Sequence, residues 1–165
     1  MAIKTVNGTL PDKYGKYAPE EFKLEGKPVC SLPIDLSELP SGTEDVAITF
    51  IDYDAVPVCG FPFIHWIACN FGPVTEIPED SSRQNKDIIQ GKNSLASKFY
   101  PDFSEALTEH YSGPMPPDKD HQYTLTVYAL DEKLDLQNGF YLNEMYKAMK
   151  GHIIDQTEID ILAKA

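Results

Sequence analysis

A chain of 165 residues with 14 Lys and Arg against 26 Asp and Glu carries a formal net charge of −12, and 42% of it is hydrophobic. That balance excludes a clamp on a nucleic-acid backbone, which needs a basic footprint, and a polybasic grip on an anionic membrane. Nine Tyr and eight Phe exclude an acidic disordered chain, which leaves an acidic globule of a single domain over residues 1–165.

Along the chain, Met1 to Gly8 lacks the apolar h-region of an export signal, so a cytoplasmic protein with reduced thiols at Cys30, Cys59 and Cys69 is expected. Gly and Pro recur as the punctuation of short strands. A weak strand is expected around Glu21 to Leu24. Val46 to Ile51 is apolar on both parities, as a central strand with both faces covered would be. It ends in Asp52-Tyr53-Asp54, whose two carboxylates point to one side of an extended chain. Phe61 to Cys69 is the longest apolar run, too short to span a bilayer, and it places His65 on the parity of Phe63, Ile67 and Cys69. Cys59, just before it, is expected in a loop.

Asp80 to Tyr100 reads as a long polar loop with one helical turn at most. A Pro/Gly-rich loop, Gly113 to Asp120, precedes a third strand in which His121, Tyr123, Leu125 and Val127 share a face. One helix is signed at residues 142–150, with Leu142, Met145, Tyr146 and Met149 at i, i+3, i+4 and i+7, Asn143 as its cap and Lys150-Gly151 as its close. Glu158 to Leu162 reads equally as a last strand or a helix. The pattern as a whole is all-β with few helices.

The chemistry concentrates on His65 and His121. A histidine inside an apolar strand must find hydrogen-bond partners or bear a large desolvation cost. A carboxylate such as Asp52 can fix an imidazole tautomer, as the outer partners of metal-bound histidines do. From spacing alone, Asp52 and Asp54 read first as a solvated strand end, and His110 and His152 as bland loop and helix-exit residues.

A larger ordered set then stands out: Asp52-Tyr53-Asp54-Ala55, His65-Trp66 running to Asn70, Tyr111-Ser112-Gly113-Pro114-Met115-Pro116-Pro117, His121-Gln122-Tyr123 and Tyr128-Ala129-Leu130-Asp131. Leu39-Pro40-Ser41-Gly42-Thr43 and Met149-Lys150-Gly151-His152 support it. Over roughly residues 20–155 the chain resembles the phosphatidylethanolamine-binding protein (PEBP) family in its bacterial and archaeal, YbhB/YbcL-like branch. Tyr53 stands where the family has Pro, Val56 intervenes before Pro57, and Gln122 replaces an Arg. Ser31-Leu32-Pro33-Ile34-Asp35-Leu36 shortens a Ser-Pro-Pro-Leu-x-Trp stretch. These changes fall in segments that surround the family's pocket.

The resemblance implies a β-sandwich, a large antiparallel sheet faced by a smaller one, with an anion pocket at the sheet's end. It places His65 and His121 beside the anion with Asp52 and Asp54 near them. Gly113, Pro114 and Pro116 form the rim, the Gly113 amide serves as a donor, and Tyr123 lies beside or beneath the site. The expected function is non-catalytic binding of a small anion such as phosphate, sulfate, acetate or a phosphorylated lipid head group, without cofactor or metal. Two cationic histidines would neutralise the anion, so binding would weaken as pH rises. A kinase or protease inhibitor-like regulator is the alternative reading. A hydrolase using Ser112 ranks lower, because no Gly-x-Ser-x-Gly elbow is present, and so does a Zn site on His65, His121 and Asp52. A homodimer is implied by the branch alone.

Overall fold

The computed structural model of the protein describes residues 1–6 and 8–165. Asn7, part of the N-terminal stretch read above for an export signal, lies outside the described residues.

In chain order, β1 (Lys23–Leu24) and β2 (Lys27–Pro28) form a hairpin. Its turn places both Glu25 and Gly26 at positive φ, 50° and 76°, the backbone twist that two-residue hairpins demand. The strand expected at Glu21 to Leu24 therefore shrinks to β1, because Glu20–Phe22 forms a 3-10 turn. Next come β3 (Ile34–Asp35), β4 (Asp45–Asp52), the short helix α1 (Val56–Cys59) and β5 (Phe63–Cys69). The segment expected as a long loop is more ordered: β6 (Glu76–Ile77), α2 (Ser81–Gln84) and β7 (Ile89–Gln90) fall in and around it. Then follow α3 (Glu105–Thr108), β8 (His121–Leu130), α4 (Leu142–Met149) and β9 (Ile153–Ala163).

The large sheet is antiparallel in the order β7-β5-β4-β8-β9, and β3 with β6 forms a smaller one. Every residue of β4 is buried, as its apolar character on both parities predicts for a central strand. One face of the sheet, with Ile48, Phe50, Trp66, Leu125 and Val127, packs on Leu32, Ile34 and Ile77 of the smaller layer. The opposite face, with Ala47, Ile67, Cys69 and Leu130, packs on Met145 and Met149 of α4. The Met stripe is thus core. Glu158 to Leu162 belongs to β9, whose register on β8 runs from His121↔Ala163 to Leu130↔Ile153.

Two local expectations are corrected. Tyr141, not Asn143, precedes the first turn of α4, and its N–H donates to the Glu144 carboxylate at 2.7 Å, which satisfies an amide that the helix itself leaves without a partner. The second concerns His65. Phe50 pairs with Trp66 while Ile51 pairs with Ile64, so His65 is the extra residue of a β-bulge. Ile67 and Cys69 face the helix layer, whereas His65 turns to the opposite face, its ring 6.0 Å from Phe50 and 5.0 Å from Tyr123. Bulges re-aim single side chains in this way, and alternation alone does not reveal them. Among the described residues, no helix is long and apolar enough to cross a membrane.

Candidate functional site

The re-aimed His65 opens onto a cavity of about 160 Å³ at the end of the large sheet. Asp52 ends β4, and the register Asp52↔Tyr123 sets the start of β8 beside it. His121 Nδ1 therefore meets the Asp52 carboxylate at 2.8 Å, with both side chains buried. The other Asp52 oxygen accepts the Ala55 N–H at 3.0 Å, which ties the start of α1 to the same carboxylate.

His121 is engaged on both sides. Its Nε2 lies 2.9 Å from the Asp118 carboxylate, a half-exposed group in the loop just upstream. Desolvation is the largest influence on the His121 imidazole and opposes its charge, yet the bonds to Asp52 and Asp118 raise its pKa above the ordinary value. For Asp118 desolvation again opposes, but the bond from His121 holds the carboxyl below its usual range.

His65 has the reverse character. Its Nδ1 lies 2.6 Å from the Ser112 carbonyl, and the Ser112 N–H donates back to the His65 carbonyl at 3.0 Å. Burial, partly offset by the bond to Ser112, pushes the His65 pKa down to about 4. Two cationic histidines are therefore not what the pocket holds: His65 is neutral, and His121 alone favours the charged form. Among the described residues the buried Tyr123 hydroxyl has no partner at hydrogen-bond geometry, and burial, then the nearby Asp52 carboxylate, push its pKa far up.

Asp52, His65, Gly113, Pro116, His121 and Tyr123 all line the cavity. Asp54 does not: it lies beyond the end of β4 and accepts the Gln122 N–H at 2.9 Å, so the strand has turned before its side chain can join Asp52. Pro114 is also outside the lining, because its carbonyl and ring lie against Gly15. The Gly113 amide is not free either, since it donates to the Pro28 carbonyl at 2.8 Å. None of Tyr53, Val56 and Gln122 lines the cavity, so those departures touch its surroundings and not its floor.

Four contributors escaped the sequence reading. Asp118 sits in a loop beside Lys119 and Asp120 and has no spacing signal. Lys27 reaches the cavity from the β1–β2 hairpin, nearly a hundred residues from His121 in the chain. Gln90 and Ser82 hold the rim from beneath: Trp66 Nε1–H donates to Gln90 at 2.8 Å, Ser82 donates to the same oxygen at 2.7 Å, and the Tyr111 N–H donates to Ser82 at 2.8 Å. Cys59 lines the cavity from the end of α1, and not from a loop, with its thiol 3.3 Å from the Phe61 carbonyl. Among the described residues, no three His, Cys, Asp or Glu side chains converge to hold a metal ion.

Asp52→Asn separates the charge of this carboxylate from its shape. The amide oxygen can still accept from Ala55 or His121, so the fold is expected to persist while the His121 pKa falls, as read by NMR titration. An unchanged His121 titration would show that Asp52 does not set its charge.

The sandwich and its sheet-end cavity, floored by one neutral and one carboxylate-held histidine, define a pocket-bearing β-sandwich protein. The family model described as phosphatidylethanolamine-binding protein matches residues 3–164, and the chain belongs to that family. It is 52% identical over 160 residues to the uncharacterized protein YxkA of Bacillus subtilis, covering 96% of this chain and 95% of that one. The UPF0098 protein PH1269 of Pyrococcus horikoshii is 36% identical over 151 residues, which cover 87% of this chain and 69% of that one. Two crystal structures share the fold. The PEBP homolog CT736 of Chlamydia trachomatis has a TM-score of 0.77 at 24% identity, covering 99% of this chain and 97% of that chain. YbcL of Escherichia coli, a PEBP family member, has a TM-score of 0.74 at 22% identity, covering 97% and 93%. Family membership supports a binding role.

Proposed function

We propose that the protein is a non-catalytic binder of a small oxyanion-bearing ligand in the His65–His121 cavity. The observation that carries this reading is the polar floor of the cavity: the buried Tyr123 hydroxyl, to which the described residues supply no hydrogen bond, beside the His65 and His121 rings. Buried polar groups without partners are rare in folded proteins, and a ligand is a standard reason for them. A phosphate monoester, carrying about −1.5 to −2 charges at neutral pH, accepts hydrogen bonds of the kind that His121, Tyr123 and Lys27 can donate.

Among the described residues, the site pairs no nucleophile with a base. His65 Nδ1 is committed to a carbonyl and His121 Nδ1 to Asp52, and neither ring faces a hydroxyl or thiol within bonding distance. The walls are mixed, with Phe63, Leu95, Tyr100 and Met115 opposite the polar floor, so an apolar substituent on the anion is accommodated. Val58, at the mouth, is exposed.

In the free protein, Asp118 occupies the one His121 N–H that could reach the cavity. An incoming anion must displace it, and two like charges cannot share that donor. Calorimetric titration with inorganic phosphate at pH 6 is the test. Saturable binding to the wild type is expected, and Asp118→Ala should tighten it roughly fivefold, the scale of losing an exposed competing ion pair. Absence of binding at millimolar phosphate in both proteins would refute the anion reading.

A further inference from the structure

His65 has a donor–acceptor pattern that its surroundings impose. The Ser112 carbonyl, 2.6 Å from Nδ1, carries only lone pairs, so the ring proton must sit on Nδ1. In the neutral ring Nε2 is then an acceptor. Among the described residues no group hydrogen-bonds Nε2, while the ring lines the cavity. The polar floor thus pairs one acceptor, His65 Nε2, with donors at Tyr123 Oη and, once Asp118 is displaced, at His121 Nε2.

A fully ionised oxyanion does not fit that floor, because one of its oxygens would face the His65 lone pair with no hydrogen between them. Resting on the anion-binding reading above, we infer that the pocket takes its oxyanion in a singly protonated form, with the ligand's own O–H donating to His65 Nε2. Hydrogen phosphate, a singly protonated phosphate monoester and a singly protonated phosphonate all carry an acceptor oxygen beside an O–H near neutral pH. A carboxylate, sulfate and a phosphodiester do not, since none of them holds a proton there.

Protonating His65 instead would restore a donor at Nε2. That route is opposed by the site itself. The ring is buried and T-shaped against Phe50 and Tyr123, and burial pushes its pKa down to about 4. The charged and titratable groups that share the cavity are Lys27, Asp52, Cys59, Tyr100, His121 and Tyr123, with Asp118 above them. Of these, Asp52 favours a charged His65 and His121 disfavours it, and burial outweighs both.

The discriminating measurement compares inorganic phosphate with sulfate on the wild-type protein at pH 7 by calorimetry. Phosphate is expected to bind at least about tenfold more tightly, because sulfate leaves the His65 acceptor facing another acceptor. Sulfate binding as tightly as phosphate would overturn the inference while leaving the anion reading intact. Failure of both ions to bind would sink the anion reading and this inference with it. Nitrogen-15 NMR of the His65 ring gives an independent readout that needs no variant. The neutral Nδ1–H tautomer should persist at saturating phosphate, and an imidazolium in the complex would overturn the assignment of the proton to the ligand.

Discussion

Acidification from pH 6.5 to pH 4 is expected to lower the unfolding free energy by about 3 kcal/mol through His65 alone. In the unfolded chain this histidine titrates near 6.5, whereas burial holds it near 4 in the fold. Between those values the unfolded state binds the proton and the folded state does not, so stability falls as pH falls. Above 6.5 the contribution is fully present. His121 acts in the opposite sense: its raised pKa adds stability below its unfolded value, and that stability fades as pH rises through the folded one. Urea unfolding at a series of pH values checks this, with His65→Gln as the comparison. Glutamine can donate to the Ser112 carbonyl but does not titrate, so the variant should lose most of the slope between pH 6.5 and 4. An equal slope in the two proteins would show that His65 is not buried as a neutral ring.

Gly113→Ala is expected to destabilise the protein by about 3 kcal/mol, the upper part of the range for overpacked sites, or roughly 6–12 °C in Tm. A Cβ at this position would fall well inside contact distance of the Tyr14 carbonyl oxygen and 2.9 Å from Pro28 Cβ. Both obstacles lie on the backbone or on a rigid ring, so no rotamer relieves them. The rim must move, which strains the Gly113 N–H bond to Pro28 at 2.8 Å and the Ser112 clamp on His65 next to it. Thermal melting measures the stability loss, and the same variant should bind phosphate more weakly through a displaced Ser112. Near-wild-type stability and affinity would mean that the rim yields more readily than this packing implies. The demand for glycine here comes from close approach alone, since its φ is not among the positive ones.

The pocket also qualifies the meaning of a net charge of −12. Overall charge governs long-range steering and repels large polyanions. At the floor of the cavity the balance is set by a few atoms: one imidazole between two carboxylates, one neutral imidazole, one phenol and Lys27. On the proposed function an anion would gain access there by exchanging places with Asp118, so an acidic surface does not conflict with that proposal.

Much of the fold was legible in the chain. The two-sided apolar run at Val46 to Ile51 required a central strand, the alternation from His121 to Leu130 required a strand with two distinct faces, and the i, i+3, i+4, i+7 stripe required α4. These patterns are local consequences of side-chain period and burial, so sequence alone determines them. Within the site, Asp52, His65, Gly113, Pro116, His121 and Tyr123 could be named because they fall in ordered motifs. What each of them does was decided by contacts between distant segments. The bulge that turns His65 to the pocket depends on its pairing with β4, and the tautomer of its ring on a carbonyl 47 residues away. Asp54 lies as close to Asp52 in sequence as alternation requires, yet the chain turns first and spends it on Gln122. Asp118 and Lys27 carry no sequence signal because a carboxylate or ammonium on a loop is ordinarily solvated. Only the folded chain brings Lys27 to the cavity and Asp118 to the His121 ring, where its charge counts because His121 is desolvated.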